Sequence, residues 1–167
     1  KQKFFFMKIA LIGYGKMGKD IEQNALQQGH EVVLRIDVNN TSDFTPENLR
    51  KADVAIEFTR PETAFENLKK CLEAGTPVVV GTTGWLQHLE EAKACCNQYN
   101  GALFHSSNYS IGVNIFFAVN RYLAQMMSAH PQYEVRMAET HHTQKLDAPS
   151  GTAITLAEGI MGQIGRK

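Results

Sequence analysis

Neither sign of charge dominates this chain: lysine plus arginine and aspartate plus glutamate number 17 each. There is therefore no basic field to draw in nucleic acid or an acidic lipid surface. Cysteine is scarce, and Cys71, Cys95 and Cys96 fall in no metal-ligand spacing. Adjacent Cys95 and Cys96 would bridge only with strain, so reduced thiols in a cytoplasmic protein are the expectation. No apolar run approaches the ~20 residues that a membrane span needs. The opening KQKFFFMK has only four apolar residues before its next lysine, too few for a signal h-region. Repeats and low-complexity segments are also missing. What remains is a 167-residue chain with 43% hydrophobic residues, enough for an ordinary core and too apolar for disorder. Its length suits one domain, or one domain plus part of a second.

Strand patterns alternate with helical ones. FFFMKIALIG, EVVLRID, DVAIEFT, TPVVVGTT and GALFH read as strands, the first apolar enough to be buried on both faces. KDIEQNALQQG, PETAFENLKKCLEAG and WLQHLEEAKACCNQY read as helices, with Gly29 as a stop and Pro61 in a first turn. Such alternation implies an α/β fold, a Rossmann-type doubly wound parallel sheet with right-handed crossovers. After Asn114 the pattern changes: FFAVNRYLAQMM reads as an amphipathic helix and YEVRMAETH as a strand. A dinucleotide-binding domain over 1–110 is expected, followed at 111–167 by the start of an α+β substrate and oligomerisation domain.

GYGKMG places Gly13, Gly15 and Gly18 in the register that a pyrophosphate-binding turn needs. The turn must be tight, the backbone must approach the phosphates, and the helix must pack close to its strand. The new helix then presents free N–H groups to the anion. Glycines also mark ordinary turns, but these follow a buried strand and open a helix. Asp37 ends the second strand, ~20 residues on, where a carboxylate takes the ribose hydroxyls. Val38 stands where an arginine would favour a 2′-phosphate, so NADH is expected ahead of NADPH, with Arg35 or Lys16 as routes to the latter.

EFTRPE and GTTG follow the third and fourth strands, on the rim where α/β sheets bind ligands. Ordinary turns, with Thr59 or Thr83 as helix caps, are the plain alternative. HSSNYSIGVN follows the fifth strand; Asn108 can both donate to and accept from a carboxamide, and Tyr109 can lie against a ring.

HHTQKLDAPSGTA, His141 to Ala153, gathers two histidines, a lysine and a Pro-Ser-Gly-Thr turn. Adjacent histidines chelate a metal poorly, so no metal is expected. The choice is between a solvated loop and a site for an anion that exchanges a proton. Lys145 can hold a carboxylate or protonate a developing anion, and a histidine can carry a proton near neutrality. Ser150, Gly151 and Thr152 open a helix and so offer N–H and hydroxyl donors to a carboxylate. A small dianionic substrate fits this set.

Five ordered motifs, GYGKMG, EFTRPE, GTTG, NYSIGVN and ETHHTQKLDAPSGTA, resemble those of the dihydrodipicolinate reductase family. These oxidoreductases, also called 4-hydroxy-tetrahydrodipicolinate reductases, act in bacterial diaminopimelate and lysine biosynthesis. The resemblance implies hydride transfer from NAD(P)H to a cyclic imino dicarboxylate with loss of water, in a homo-tetramer. It implies His141 as proton donor or acceptor and Lys145 as proton donor, with His142, Gly151 and Thr152, beside Ser150, holding the substrate carboxylate. It assigns to the cofactor Gly13, Tyr14, Gly15, Lys16, Met17 and Gly18, then Asp37, Phe58, Arg60, Gly81, Thr82 and Thr83, then Ser106, Ser107, Asn108 and Tyr109.

Three features depart from the family pattern. The Asp37–Asp53 segment is short, which would remove a helix or strand near the adenosine. Ser106 and Ser107 replace small apolar residues. The family continues well past the Ser-Gly-Thr helix, so a fragment or truncated form is expected, and YEVRMAETH would lack a sheet to join. Dinucleotide binding is accordingly a firmer expectation than turnover. The competing readings are a different nicotinamide-dependent dehydrogenase and a non-catalytic dinucleotide-binding module.

Overall fold

The computed structural model describes residues 6–141, 143 and 148–165. It divides into two compact units, Lys1–Ser106 and Ser107–Lys167. The first unit holds five strands, β1 (Lys8–Ile12), β2 (Glu31–Ile36), β3 (Val54–Glu57), β4 (Val78–Val80) and β5 (Leu103–His105). All neighbours pair in parallel, in the order β2-β1-β3-β4-β5. The order reverses between β1 and β3, and the crevice at such a switch point is where open α/β sheets take ligands.

Helices cover both faces. In β1 the side chains alternate: Ile9 and Leu11 join Val32 of β2 and Ala25 of α1 (Lys16–Gln27), whereas Ala10 and Ile12 join a larger core on the other side. That core contains Leu68, Cys71 and Leu72 of α3 (Pro61–Glu73), Ala92 of α4 (Leu89–Gln98) and the fully buried Trp85. Period-two alternation on a strand with apolar residues in both phases is what a doubly covered strand requires. The α/β doubly wound architecture expected from the alternating patterns is the one observed.

Several expected boundaries moved. The strand foreseen from Phe4 begins at Lys8, its first residues lying partly outside the described ones. The helix foreseen from Trp85 is split: a 3-10 turn over Leu86–His88 precedes α4. The short Asp37–Asp53 segment keeps a 3-10 turn (Thr41–Asp43) and a single helical turn, α2 (Pro46–Leu49), whose N-cap Thr45 accepts from the Asn48 N–H.

In the second unit, α5 (Ile111–Met127) and α6 (Gly151–Ile164) pack on each other. Asn120 of α5 donates to the Leu156 carbonyl of α6 at 2.9 Å. The helix read from Phe116 starts earlier, at Ile111, because the Ser110 hydroxyl accepts from the Val113 N–H as an N-cap. The strand expected over YEVRMAETH is a correction: residues 133–140 have no strand pairing and lie exposed. Its alternating β-branched residues suit a strand, but a ladder needs a partner, and none of the described residues supplies one.

Candidate functional site: a glycine turn at the sheet's switch point

The geometry around Gly13 is enforced by contact. Gly13 has φ of +96°, and a Cβ built there would lie 2.0 Å from the Phe58 carbonyl oxygen. The turn therefore needs glycine both for its conformation and for the close passage of the β3 loop. Gly18 stands in α1 where a Cβ would meet the Gly13 carbonyl oxygen at 2.3 Å, which sets how closely the helix approaches the turn. Gly15 differs: among the described residues, none beyond its chain neighbours comes within 4 Å of its would-be Cβ. The protein does not need glycine at that point, but a ligand passing over the bare backbone would.

Two cavities flank Phe58 and Thr59, which line both. One, of about 430 Å³, is lined by Gly13, Tyr14, Gly15, Asp37, Val38, Phe44, Arg60 and Lys70 among others. The other, of about 260 Å³, is lined by Met17, Phe58, Pro61, Gly81, Thr82 and Thr83. The structure thus brings Gly13, Tyr14, Gly15, Asp37, Phe58 and Arg60 to one wall and Met17, Gly81, Thr82 and Thr83 to the adjoining one. Lys16 opens α1 with an exposed side chain and lines neither cavity. The Phe58 ring lies over Gly81, where a Cβ would fall 1.9 Å from it. Gly81 is in turn tied to β3, its N–H donating to the Glu57 carbonyl at 2.9 Å.

Around Asp37 the backbone is held by side chains. The Asp37 N–H donates to the Asn40 side-chain oxygen at 2.7 Å, and Asn40 donates back to the Arg35 carbonyl at 2.7 Å. Arg35 itself is occupied: its Nε donates to Glu22 at 2.7 Å, and its terminal nitrogen pairs with the same carboxylate. Tyr14 donates its hydroxyl to the other Glu22 oxygen. Hydrogen bonds from Arg35 and then Tyr14 hold the Glu22 carboxyl below its usual range. Neither this network nor the buried Glu57 emerged from the sequence, because Tyr14 lies in the turn before α1 and no helical spacing links it to Glu22.

Ser106 ends the first unit, with its N–H directed to the Val80 carbonyl at 3.3 Å. Ser107, Asn108 and Tyr109 belong to the second unit. There the Ser107 hydroxyl lies 3.0 Å from that of Thr155, and Asn108 accepts from the Ser110 N–H at 2.9 Å.

In the second unit the loop before α6 is organised by an acid the sequence reading passed over. Glu139 accepts the Ser150 N–H at 2.9 Å and the Ser150 hydroxyl at 2.7 Å, and lies 2.9 Å from His141 Nε2. Those two bonds from Ser150, then His141, bring the Glu139 carboxyl down to about 2. The signal was present: a carboxylate stands two residues from a histidine, at Glu139 and His141. Ser150 also caps α6, accepting from the Ala153 N–H at 3.0 Å. Its donors thus serve Glu139. Gly151 and Thr152 follow in the first turn, where N–H groups have no intrahelical acceptor. His142 and Lys145 lie outside the described residues.

A parallel sheet carrying a glycine turn and an acid-tipped second strand at its switch point defines the Rossmann-like α/β class. Comparison narrows the class. Residues 7–109 match the model of the dihydrodipicolinate reductase N-terminus and residues 112–167 that of its C-terminus, so the chain belongs to the dihydrodipicolinate reductase family. It is 45% identical over 161 residues to the 4-hydroxy-tetrahydrodipicolinate reductase of Christiangramia forsetii, covering 94% of this chain and 65% of that protein. The corresponding reductase of Neisseria gonorrhoeae is 35% identical over 145 residues, with 87% and 52% covered. Against these curated relatives the chain spans between about half and two thirds of their length. Among solved structures, a dipicolinate-bound dihydrodipicolinate reductase from Paenisporosarcina sp. TG-14 superposes with a TM-score of 0.70 at 26% identity, over 95% of this chain and 67% of that one. An NAD-binding protein from Listeria innocua shares the fold, with a TM-score of 0.51 at 17% identity over 74% of this chain and 40% of that one. No helix among the described residues is long and apolar enough to cross a membrane.

Proposed function

We propose that this chain carries the dinucleotide site and the substrate loop of a 4-hydroxy-tetrahydrodipicolinate reductase. The observation that carries the reading is the meeting of Gly13, Gly15 and Asp37 on one cavity at the switch point, with Gly15 facing open space. Such a cavity fits an adenosine and pyrophosphate: bare backbone for the phosphates and a carboxylate for the ribose hydroxyls. The adjoining cavity at Met17, Thr82 and Thr83 is the one for the nicotinamide half, which supplies the hydride. NADH is the preferred form, because Asp37 would repel a 2′-phosphate and the Arg35 guanidinium is held by Glu22.

The substrate is a small cyclic imino dicarboxylate, and the chain's own groups hold it and move its proton. Gly151 and Thr152 at the head of α6, with His142, take a carboxylate, while Ser150, expected from the sequence to share in this, spends both its donors on Glu139 and only braces the turn. Lys145 gives the proton that accompanies hydride arrival, and His141 exchanges protons beside it. Glu139 sets the imidazole of His141 by its 2.9 Å contact.

Two measurements test this. Titration with NADH and NADPH should show tighter binding of NADH, and pyridine-2,6-dicarboxylate should bind more tightly once NADH is present. No dicarboxylate binding at saturating NADH would leave a dinucleotide-binding module in place of a reductase. In a catalytically active form, Lys145→Ala should lower kcat by about 10²- to 10⁴-fold, the worth of a proton-transfer group. A rate within a few-fold of the parent would remove Lys145 from the chemistry.

A further inference from the structure

The last residue of β3 is an acid in a place where its neighbours are apolar. Glu57 aligns with Ile12 of β1 and Val80 of β4, and its side chain is fully buried, at 0% exposure. A methionine or leucine would fill such a position without the cost of desolvating a carboxyl. Burial pushes the Glu57 carboxyl up, against the pull of the nearby Thr59, Thr82 and Asn67 side chains. One of its oxygens, Oε2, is buried and accepts no hydrogen bond from the described residues. Core packing does not explain an acid held under these conditions.

Its contacts do. Oε1 accepts the Thr59 hydroxyl and, at 3.4 Å, the Asn67 amide. Asn67 also donates to Thr59 Oγ1 at 3.1 Å, and the Thr63 hydroxyl lies 3.0 Å from that atom. The Thr59 N–H crosses to β4's loop, donating to Thr82 Oγ1 at 2.8 Å. Thr59 is thus gripped from below by Glu57 and from the side by α3, and it holds the 81–83 loop in turn. These are the walls of both cavities, and Phe58 beside Thr59 is what Gly13 and Gly81 pack against.

We propose that Glu57 is a positioning residue for the dinucleotide: it fixes Thr59 and, through the Thr59–Thr82 bond, sets the two loops on either side of Phe58. The inference rests on the dinucleotide reading above. Gln at this position keeps an acceptor for Thr59 and Asn67, whereas Met fills the space without one. NADH affinity, followed by nicotinamide fluorescence, and thermal midpoint should therefore separate. E57Q should bind NADH within about twofold of the parent. E57M should be at least as heat-stable as the parent yet bind about tenfold more weakly, the loss expected for one buried hydrogen-bonded link. T59V should weaken binding by a similar factor and add little in the E57M background, since coupled residues are not additive. Parent-like binding by E57M, failure of E57Q to rescue, or additive E57M and T59V effects would each overturn the proposal. Should E57M fail to fold, T59V alone decides, and unchanged NADH affinity overturns it. If the parent chain binds no NADH, the dinucleotide reading falls and this inference with it; tight parent binding beside an unaffected E57M removes this inference alone.

Discussion

The two units of the chain differ in what they bury. In Lys1–Ser106 the sheet is closed on both faces, with Leu11, Ile12, Leu68, Leu72, Val78 and Trp85 all but inaccessible. In Ser107–Lys167 the buried hydrophobics among the described residues are Phe117, Ala124 and Ala153, while Ile111, Ile115, Phe116, Val119, Tyr122, Leu123 and Met126 of α5 stand exposed. The first unit holds its proposed ligand groups by packing: each wall of the cavities is braced by a strand end or a glycine contact. The second holds its groups by polar contacts from a few side chains, Glu139 above all. A site braced by a core should resist local change and fail only with the fold; one braced by hydrogen bonds should fail piecemeal.

The sharpest way to test that contrast lies in the glycine turn. Gly13→Ala should abolish stable folding of the first unit, because its Cβ would overlap the Phe58 carbonyl and occupy a left-handed φ. Gly15→Ala should leave the thermal midpoint unchanged while reducing NADH affinity by about tenfold or more, a loss of roughly 1.4 kcal/mol. Equal effects of the two on stability would break the comparison. Next in size, Leu68→Ala should cost about 2–5 kcal/mol in chemical denaturation, whereas Leu123→Ala on the exposed face of α5 should stay within roughly 0.5 kcal/mol.

The second unit predicts a pH effect. Glu139 has its carboxyl lowered to about 2, so its grip on Ser150 stabilises the folded form above the ordinary carboxylate range and is lost as pH falls through about 2. The Ser150 amide resonance should hold steady on acidification to about pH 3 and then move, and Glu139→Gln should speed amide exchange at the start of α6 even at neutral pH. A Ser150 resonance that titrates in the ordinary carboxylate range would show that the contact is weak in solution. The smallest expected change is in cofactor choice. Glu22→Gln weakens the hold on Arg35 and should raise NADPH affinity relative to NADH by a few-fold, about 0.5–1 kcal/mol. An unchanged ratio would leave the preference to Asp37 alone.

The same contrast explains what could be read from the chain in advance. Parallel strands buried on both faces appear as apolar runs, and Pro61 and the glycines mark where helices begin and end, so β1 to β5, α1 and α3 were legible. α4 was legible except for its first turn, which is 3-10. Residues 133–140 misled because β-branched alternation records what a strand would tolerate, while pairing depends on a partner elsewhere. The residues placed by motif, Gly13, Gly15, Asp37 and the 58–60 and 81–83 loops, meet on adjoining cavities because each sits at a strand's C-terminal end. Glu57 and Glu22 were illegible as functional groups, and Glu139 was passed over despite its spacing to His141, for one reason. An acid in a sequence reads as solvent-facing by default, and only the fold shows that one is entombed and two are engaged by neighbours.

Phe58 stands between the two cavities with its carbonyl against one glycine and its ring against another. Positions 13, 58 and 81 therefore cannot drift separately. A bulkier residue at 81 demands a smaller one at 58, and any change in the path of the backbone at 58 is felt at 13. Engineering that aims to place a side chain at 81 must first shrink the residue at 58, whereas glycine at 13 is held by the backbone at 58 whatever side chain stands there.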